Sequence, residues 1–203
     1  MGATHPANSN LYPSRLSEVI WILVLLGVQF TPLSSTIISY DGDAAHHALI
    51  GKLIISEFKI PETDPTAFTA SDKRFIAHEW LAEVVYGTFD YFIGPSGIAL
   101  VASLLLGASL YLIAISLERS SISSKLIIII IPVIFFLLRI HFLARPHLFT
   151  WPLFIMLYLT VDSFRRGLLS TSSLGIRLGV VFILWTNFHG SFVFAFCCLM
   201  LLL

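Results

Sequence analysis

Charged side chains are scarce in this chain, at 12% of 203 positions, where an average soluble domain carries roughly 25%. Hydrophobic residues reach 57%, more than the interior of a soluble domain this size can hide. Neither sign is in excess, because 12 Lys and Arg balance 12 Asp and Glu. That balance removes the basic surface nucleic acid demands and leaves no charged tail. Cysteine is nearly absent: only the neighbours Cys197 and Cys198 occur, and adjacent residues do not form an ordinary structural disulfide. Within an apolar run they read as small, inert hydrophobes. No small-residue cleavage site follows the first apolar stretch, so it reads as an uncleaved signal anchor.

What the chain has in abundance is apolar runs. A membrane span takes about 20 mostly apolar residues. Candidates are residues 19–38, 98–117, 126–138 with Pro132 as a predicted kink, 148–161, a short 175–186, and 192–203. No polar terminus follows the last run. The expectation is therefore one transmembrane domain over residues 1–203, cut short at its C-terminal end.

Residues 79–93 are also apolar but carry Glu79, Glu83 and Asp90 near helical spacing. Positive-inside counting decides their placement. Laid along the surface, they leave Arg119, Lys125, Arg165, Arg166 and Arg177 on the cytoplasmic side with Arg15; threaded across, they put those five residues opposite it. With the surface placement, residues 40–97 form a long outer loop. The 139–147 turn and the 187–190 break then face the same side, as does every histidine except His5. The expected fold class is all-α: a multi-pass transmembrane helical bundle with amphipathic interfacial helices in the first outer loop.

Asp41 and Asp43 open a predicted amphipathic helix over 42–58 that also carries His46 and His47. Two carboxylates one residue apart can share a divalent cation or divide the work of a base, and Asp is equally a helix cap. His78-Glu79 starts the next helix, but Ala82 stands where a two-histidine zinc-protease motif needs its second His. Arg145 and His147 flank Pro146 at a helix entrance and read either as a clamp for a phosphate or as residues snorkelling to the interface, which is the plainer account of Arg139. Asn187 and His189, beside Gly190, read either as a loop cap or as part of the same site.

Taken in order, Asp41-x-Asp43 with His47 and Gly51, Ile60-Pro61-Glu62-Thr63-Asp64-Pro65, Phe68-Thr69, His78-Glu79-Trp80-Leu81, Arg145-Pro146-His147 and Asn187-x-His189-Gly190 resemble bacterial multi-pass proteins of the GT-C glycosyltransferase superfamily. That superfamily includes protein O-mannosyltransferases, aminoarabinose transferases for lipid A and oligosaccharyltransferase catalytic subunits. The resemblance implies sugar transfer from a polyprenyl-phosphate donor to an acceptor on the non-cytoplasmic face of a bacterial inner membrane, with the N-terminus cytoplasmic. It makes Asp41 or Asp43 the general base or a ligand of a divalent cation such as Mg or Mn. Arg145 and His147 would meet the carrier phosphate, and His47, His78, Glu79, Asn187 and His189 would line the substrate site. Membrane lipid is the other implied partner; the acceptor is not indicated.

Ala45 and His46 stand where relatives often carry aromatics, so no sugar-stacking platform is expected there. The later spans and C-terminal soluble domain common in the superfamily are missing too, so activity is expected of a full-length form. Two other readings compete: a transporter or channel whose His and Arg line a polar pathway, and a non-catalytic membrane scaffold. A pathway would spread basic residues through span interiors, and here they gather at the ends.

Overall fold

A computed structural model describes residues 18–20, 22–23, 26–27, 42–67 and 74–202. Among the described residues the chain is helical without strands, apart from one isolated antiparallel bridge between Thr63 and Arg74. We number the helices α1 (Gly42–Glu57), α2 (Trp80–Ile93), α3 (Pro95–Arg119), α4 (Ser124–Leu138), α5 (His147–Arg165), α6 (Thr171–Phe188) and α7 (Phe192–Leu202). A single 3-10 turn, Arg139–His141, extends α4.

Three helices, Pro95–Arg119, Ser124–His141 and Thr171–Phe188, are long and apolar enough to cross a membrane. At about 1.5 Å per residue, α3 spans roughly 37 Å, more than the ~30 Å hydrocarbon core. In α4 only Ile127 and Ile131 are buried, while Ile128, Ile129, Phe136 and Leu137 face outward. Apolar residues around a whole helix point to a lipid-facing position.

Several boundaries differ from the sequence reading for local reasons. The short fifth run lengthens to Thr171–Phe188, because the Ser170 hydroxyl caps it by accepting from the Ser173 N–H at 3.2 Å. The third run continues as a helix through Pro132. The first loop helix stops at Glu57, where Phe58 takes a left-handed φ of 51°. Of the expected first span, the described positions 19–20, 22–23 and 26–27 are helical, and Ile20 packs among Leu110, Ala114, Ile127 and Ile131.

The closest helix contact is between α1 and α2. His47 meets Glu83, and Lys52 meets Asp90 at 2.6 Å, so the contacts advance together and the two helices run parallel. Between those pairs the backbones touch. A Cβ on Gly51 would lie 1.7 Å from the Glu83 carbonyl oxygen, and one on Gly87 would lie 2.5 Å from the Lys52 nitrogen. Ala44, Ala48 and Ala82 are buried along the same seam. The chain turns from α2 into α3 at Gly94, whose φ of 72° suits glycine, and Pro95 starts the next helix with its φ already set.

Helix α3 packs against α2, α4 and α5, and α5 in turn against α6. Leu153, Leu157 and Val161 of α5 share a core with Val181 and Trp185 of α6 and with Ala195 and Leu199 of α7. One end of this assembly is basic: Arg119 donates to the Ser163 hydroxyl at 3.2 Å, and Arg166 pairs with Asp162 at 2.8 Å. The other end, where α4 finishes, α5 begins and α6 gives way to α7, receives α1 and the start of α2.

A carboxylate ringed by imidazoles

Glu79, the residue before α2, is the hub of that second end. Its Oε1 lies 3.4 Å from His189 Nε2 and 3.7 Å from His78 Nε2, and its Oε2 lies 4.0 Å from His47 Nε2. The three imidazoles come from α1, from the segment leading into α2, and from the turn after α6. Each is oriented by the hydrogen bond of its other nitrogen. His78 Nδ1–H donates to the Ile76 carbonyl at 3.2 Å, which leaves Nε2 bare. At His189 the direction is reversed: the Ser191 N–H donates to Nδ1 at 3.1 Å, so the ring proton sits on Nε2, toward Glu79. His47 Nδ1 bonds Glu83 Oε1 at 3.3 Å.

Proton affinities follow from this placement. Burial raises the Glu79 carboxyl above its usual range, with the Glu83 and Asp43 charges adding to the effect and His47 and His78 opposing it. Burial also lowers His189, and the neighbouring His147, His78 and His47 lower it further. The same burial that strengthens the carboxyl's hold on its proton weakens the imidazole's, so both shifts favour the uncharged forms.

Beside the ring lies an ion pair. Arg145 Nη1 is 3.0 Å from Asp43 Oδ2, and both side chains are about half exposed. Tyr86, fully buried in α2, donates to the Arg145 backbone carbonyl at 3.1 Å and so fixes the turn that carries the guanidinium. His147 Nε2 lies 3.1 Å from the His141 carbonyl, and its ring edge meets Trp151. Arg145 and His147 thus engage different groups across Pro146. Asn187 accepts from the Trp80 indole at 2.8 Å and donates to the Ile183 carbonyl, tying the end of α6 to the start of α2. Asp41 lies outside the described residues.

Of the acidic pair, Asp43 is described, and it meets a side-chain cation of the protein itself. Among the described residues no group of three or more His, Cys, Asp or Glu is arranged to hold a metal ion. His189 faces Glu79 with an N–H and not with a lone pair.

Four contributors went unnoticed as site residues in the sequence: Glu83, Thr150, Trp185 and Ser191. Thr150 and Ser191 bond each other at 2.6 Å, and Ser191 also meets His189 Nδ1 at 2.8 Å and accepts from the Trp185 indole at 3.0 Å. A signal existed for Glu83 alone: four residues after Glu79, it lies one helical turn further along the same face. From Thr150 an apolar groove of about 300 Å³ extends along Ser109, Ile113, Leu138, Trp151, Phe154 and Phe194.

Among the described residues, these features define an all-helical protein with three membrane-length helices, the mark of a membrane protein, and a histidine–carboxylate cluster at their end. No protein-family model, curated protein or solved structure matches the chain.

Proposed function

We propose that this chain forms part of a multi-pass membrane glycosyltransferase of the GT-C type, acting on a polyprenyl-phosphate-linked sugar at the non-cytoplasmic face of a bacterial inner membrane. One observation carries the reading: an Asp–Arg pair and an imidazole-ringed carboxyl, drawn from four separate segments, meet where membrane-length helices end. The groove that runs from Thr150 suits the apolar chain of such a donor.

In this mechanism Arg145, tethered by Asp43, receives the phosphate as it leaves with the electron pair of the broken sugar–oxygen bond. The carboxylates of Asp41 and Asp43 have the role of stabilising the positive charge that develops at the anomeric carbon. The acceptor hydroxyl gives its proton to the cluster around Glu79. α1 and α2 lie along the interface and hold these groups at the level of the donor phosphate.

The test is release or transfer of sugar from radiolabelled undecaprenyl-phosphate sugars by the protein in lipid nanodiscs. Turnover is expected to fall at least about tenfold in the Asp41→Asn, Asp43→Asn double variant and in Arg145→Ala. Wild-type-like turnover by the double variant removes the aspartates from the chemistry. Solute flux without any transfer would replace the enzyme reading with a transporter.

A further inference from the structure

Glu83 has no role in the scheme above, yet among the described residues it carries a buried side-chain oxygen without a hydrogen-bond partner. Its side chain is 3% exposed, and the unpartnered oxygen is Oε2. A buried carboxylate oxygen left unpaired costs stability, so the residue is poorly explained as a structural brace. What its other oxygen does is specific: Oε1 bonds His47 Nδ1 at 3.3 Å.

The backbone is built to bring the two together. His47 lies one turn before Gly51, and Glu83 lies one turn before Gly87, in two parallel helices that touch at those glycines. The missing side chains let α1 come close enough for the imidazole to reach the carboxylate. An ionised carboxylate only accepts, so it selects the Nδ1–H form of His47 and leaves Nε2 bare. That nitrogen lies 4.0 Å from Glu79 Oε2. A hydroxyl oxygen placed between them would be within hydrogen-bonding reach, about 2.8 Å, of both.

We propose that Glu83 is a positioning residue that holds His47 as the Nδ1–H tautomer, so that His47 Nε2 is the base that accepts the proton of the acceptor hydroxyl. The inference rests on the glycosyl-transfer reading for the identity of the acceptor. In the step, the hydroxyl O–H bond breaks and an N–H bond forms at Nε2. The hydroxyl oxygen bonds the anomeric carbon, and the sugar–phosphate bond breaks with its electron pair going to the phosphate. The charged groups facing the resulting imidazolium are Glu83 and Glu79 from the α2 segment, with His46 of α1 at 5.6 Å between ring centroids and His189 across Glu79. The two carboxylates balance the charge that His47 gains.

Two measurements on the full chain in nanodiscs test this separately. Nitrogen-15 NMR of labelled histidines at neutral pH is expected to show His47 with Nδ1 protonated in the wild-type protein. It is expected to show a mixture of tautomers in Glu83→Gln, whose amide can donate to Nδ1 as well as accept from it. A wild-type His47 protonated at Nε2, or a tautomer unmoved by Glu83→Gln, overturns the positioning role without reference to activity. The second measurement follows release of mannose from undecaprenyl-phosphate mannose, with water as acceptor. Glu83→Gln is expected to lower kcat at least about tenfold with KM within twofold. An unchanged kcat overturns the role of His47 as base. An inactive wild-type protein in its full-length form, with the expected tautomer, would instead remove the glycosyl-transfer reading, and His47's substrate role with it, while upholding the Glu83–His47 arrangement.

Discussion

For individual residues, Glu79 and His189 carry displaced proton affinities, and the displacement of His189 makes stability depend on pH. Burial and the neighbouring imidazoles hold its folded value below the ordinary 6.5. The unfolded chain therefore binds the proton first as pH falls. The stability that neutral His189 contributes is full above 6.5 and is lost as pH drops through the depressed folded value. The melting temperature of the purified protein should fall on acidification from 6.5, and His189→Gln should flatten that part of the curve. An equal slope in the variant would assign the effect to other groups. Glu79 has the opposite sign: its contribution is full below 4.5 and is lost as pH rises through its raised folded value.

Much of this cluster was legible in the sequence. Counting basic residues put His47, His78, Glu79, Arg145 and His189 on one side of a membrane, and the five are close in space. The pairing of Asp43 with Arg145 was not, because neither residue carries a sign of its partner across about a hundred positions. Asn187 reads in the sequence either as a loop cap or as part of the site, and its amide bonds Trp80 and Ile183.

Among elements, the seam between α1 and α2 positions the cluster. The sequence located both helices within a residue or so at their ends, since apolar spacing and acidic first turns are local signals. The register between them was hidden. It depends on which small residues meet, and Gly51 and Gly87 carry no mark that pairs them. A methyl at position 51 would collide with the Glu83 backbone, which cannot swing aside as a long side chain would. Gly51→Ala should therefore destabilise the protein by about 3 kcal/mol and also weaken the His47–Glu83 contact. Gly175→Ala, where nothing lies within 4 Å, is the matched control and should be neutral or slightly stabilising. Equal melting temperatures for the two variants would show that the seam is looser than its geometry.

For the whole molecule, the arrangement opposes a basic end to a histidine-rich one. Three of the helices between them have membrane length. In a background with Cys197 and Cys198 replaced, single cysteines at the exposed positions Ser123 and Ser172 should be shielded from an impermeant thiol reagent added outside intact cells, while one at Thr66 should react. Reaction at Ser123 and Ser172 would overturn the surface placement of α2.

The distances along the chain between partners also carry information about synthesis. His47 and Glu83 are 36 residues apart, and both glycines of the seam lie within that same neighbourhood, so α1 and α2 can find their register early. Trp80 and Asn187 are 107 residues apart, and His189 follows directly. A ribosome must therefore deliver four more helices before Glu79 meets its last imidazole. Until then the carboxyl lacks that neighbour, and the nascent chain can thread into the bilayer with its histidine–carboxylate cluster still incomplete.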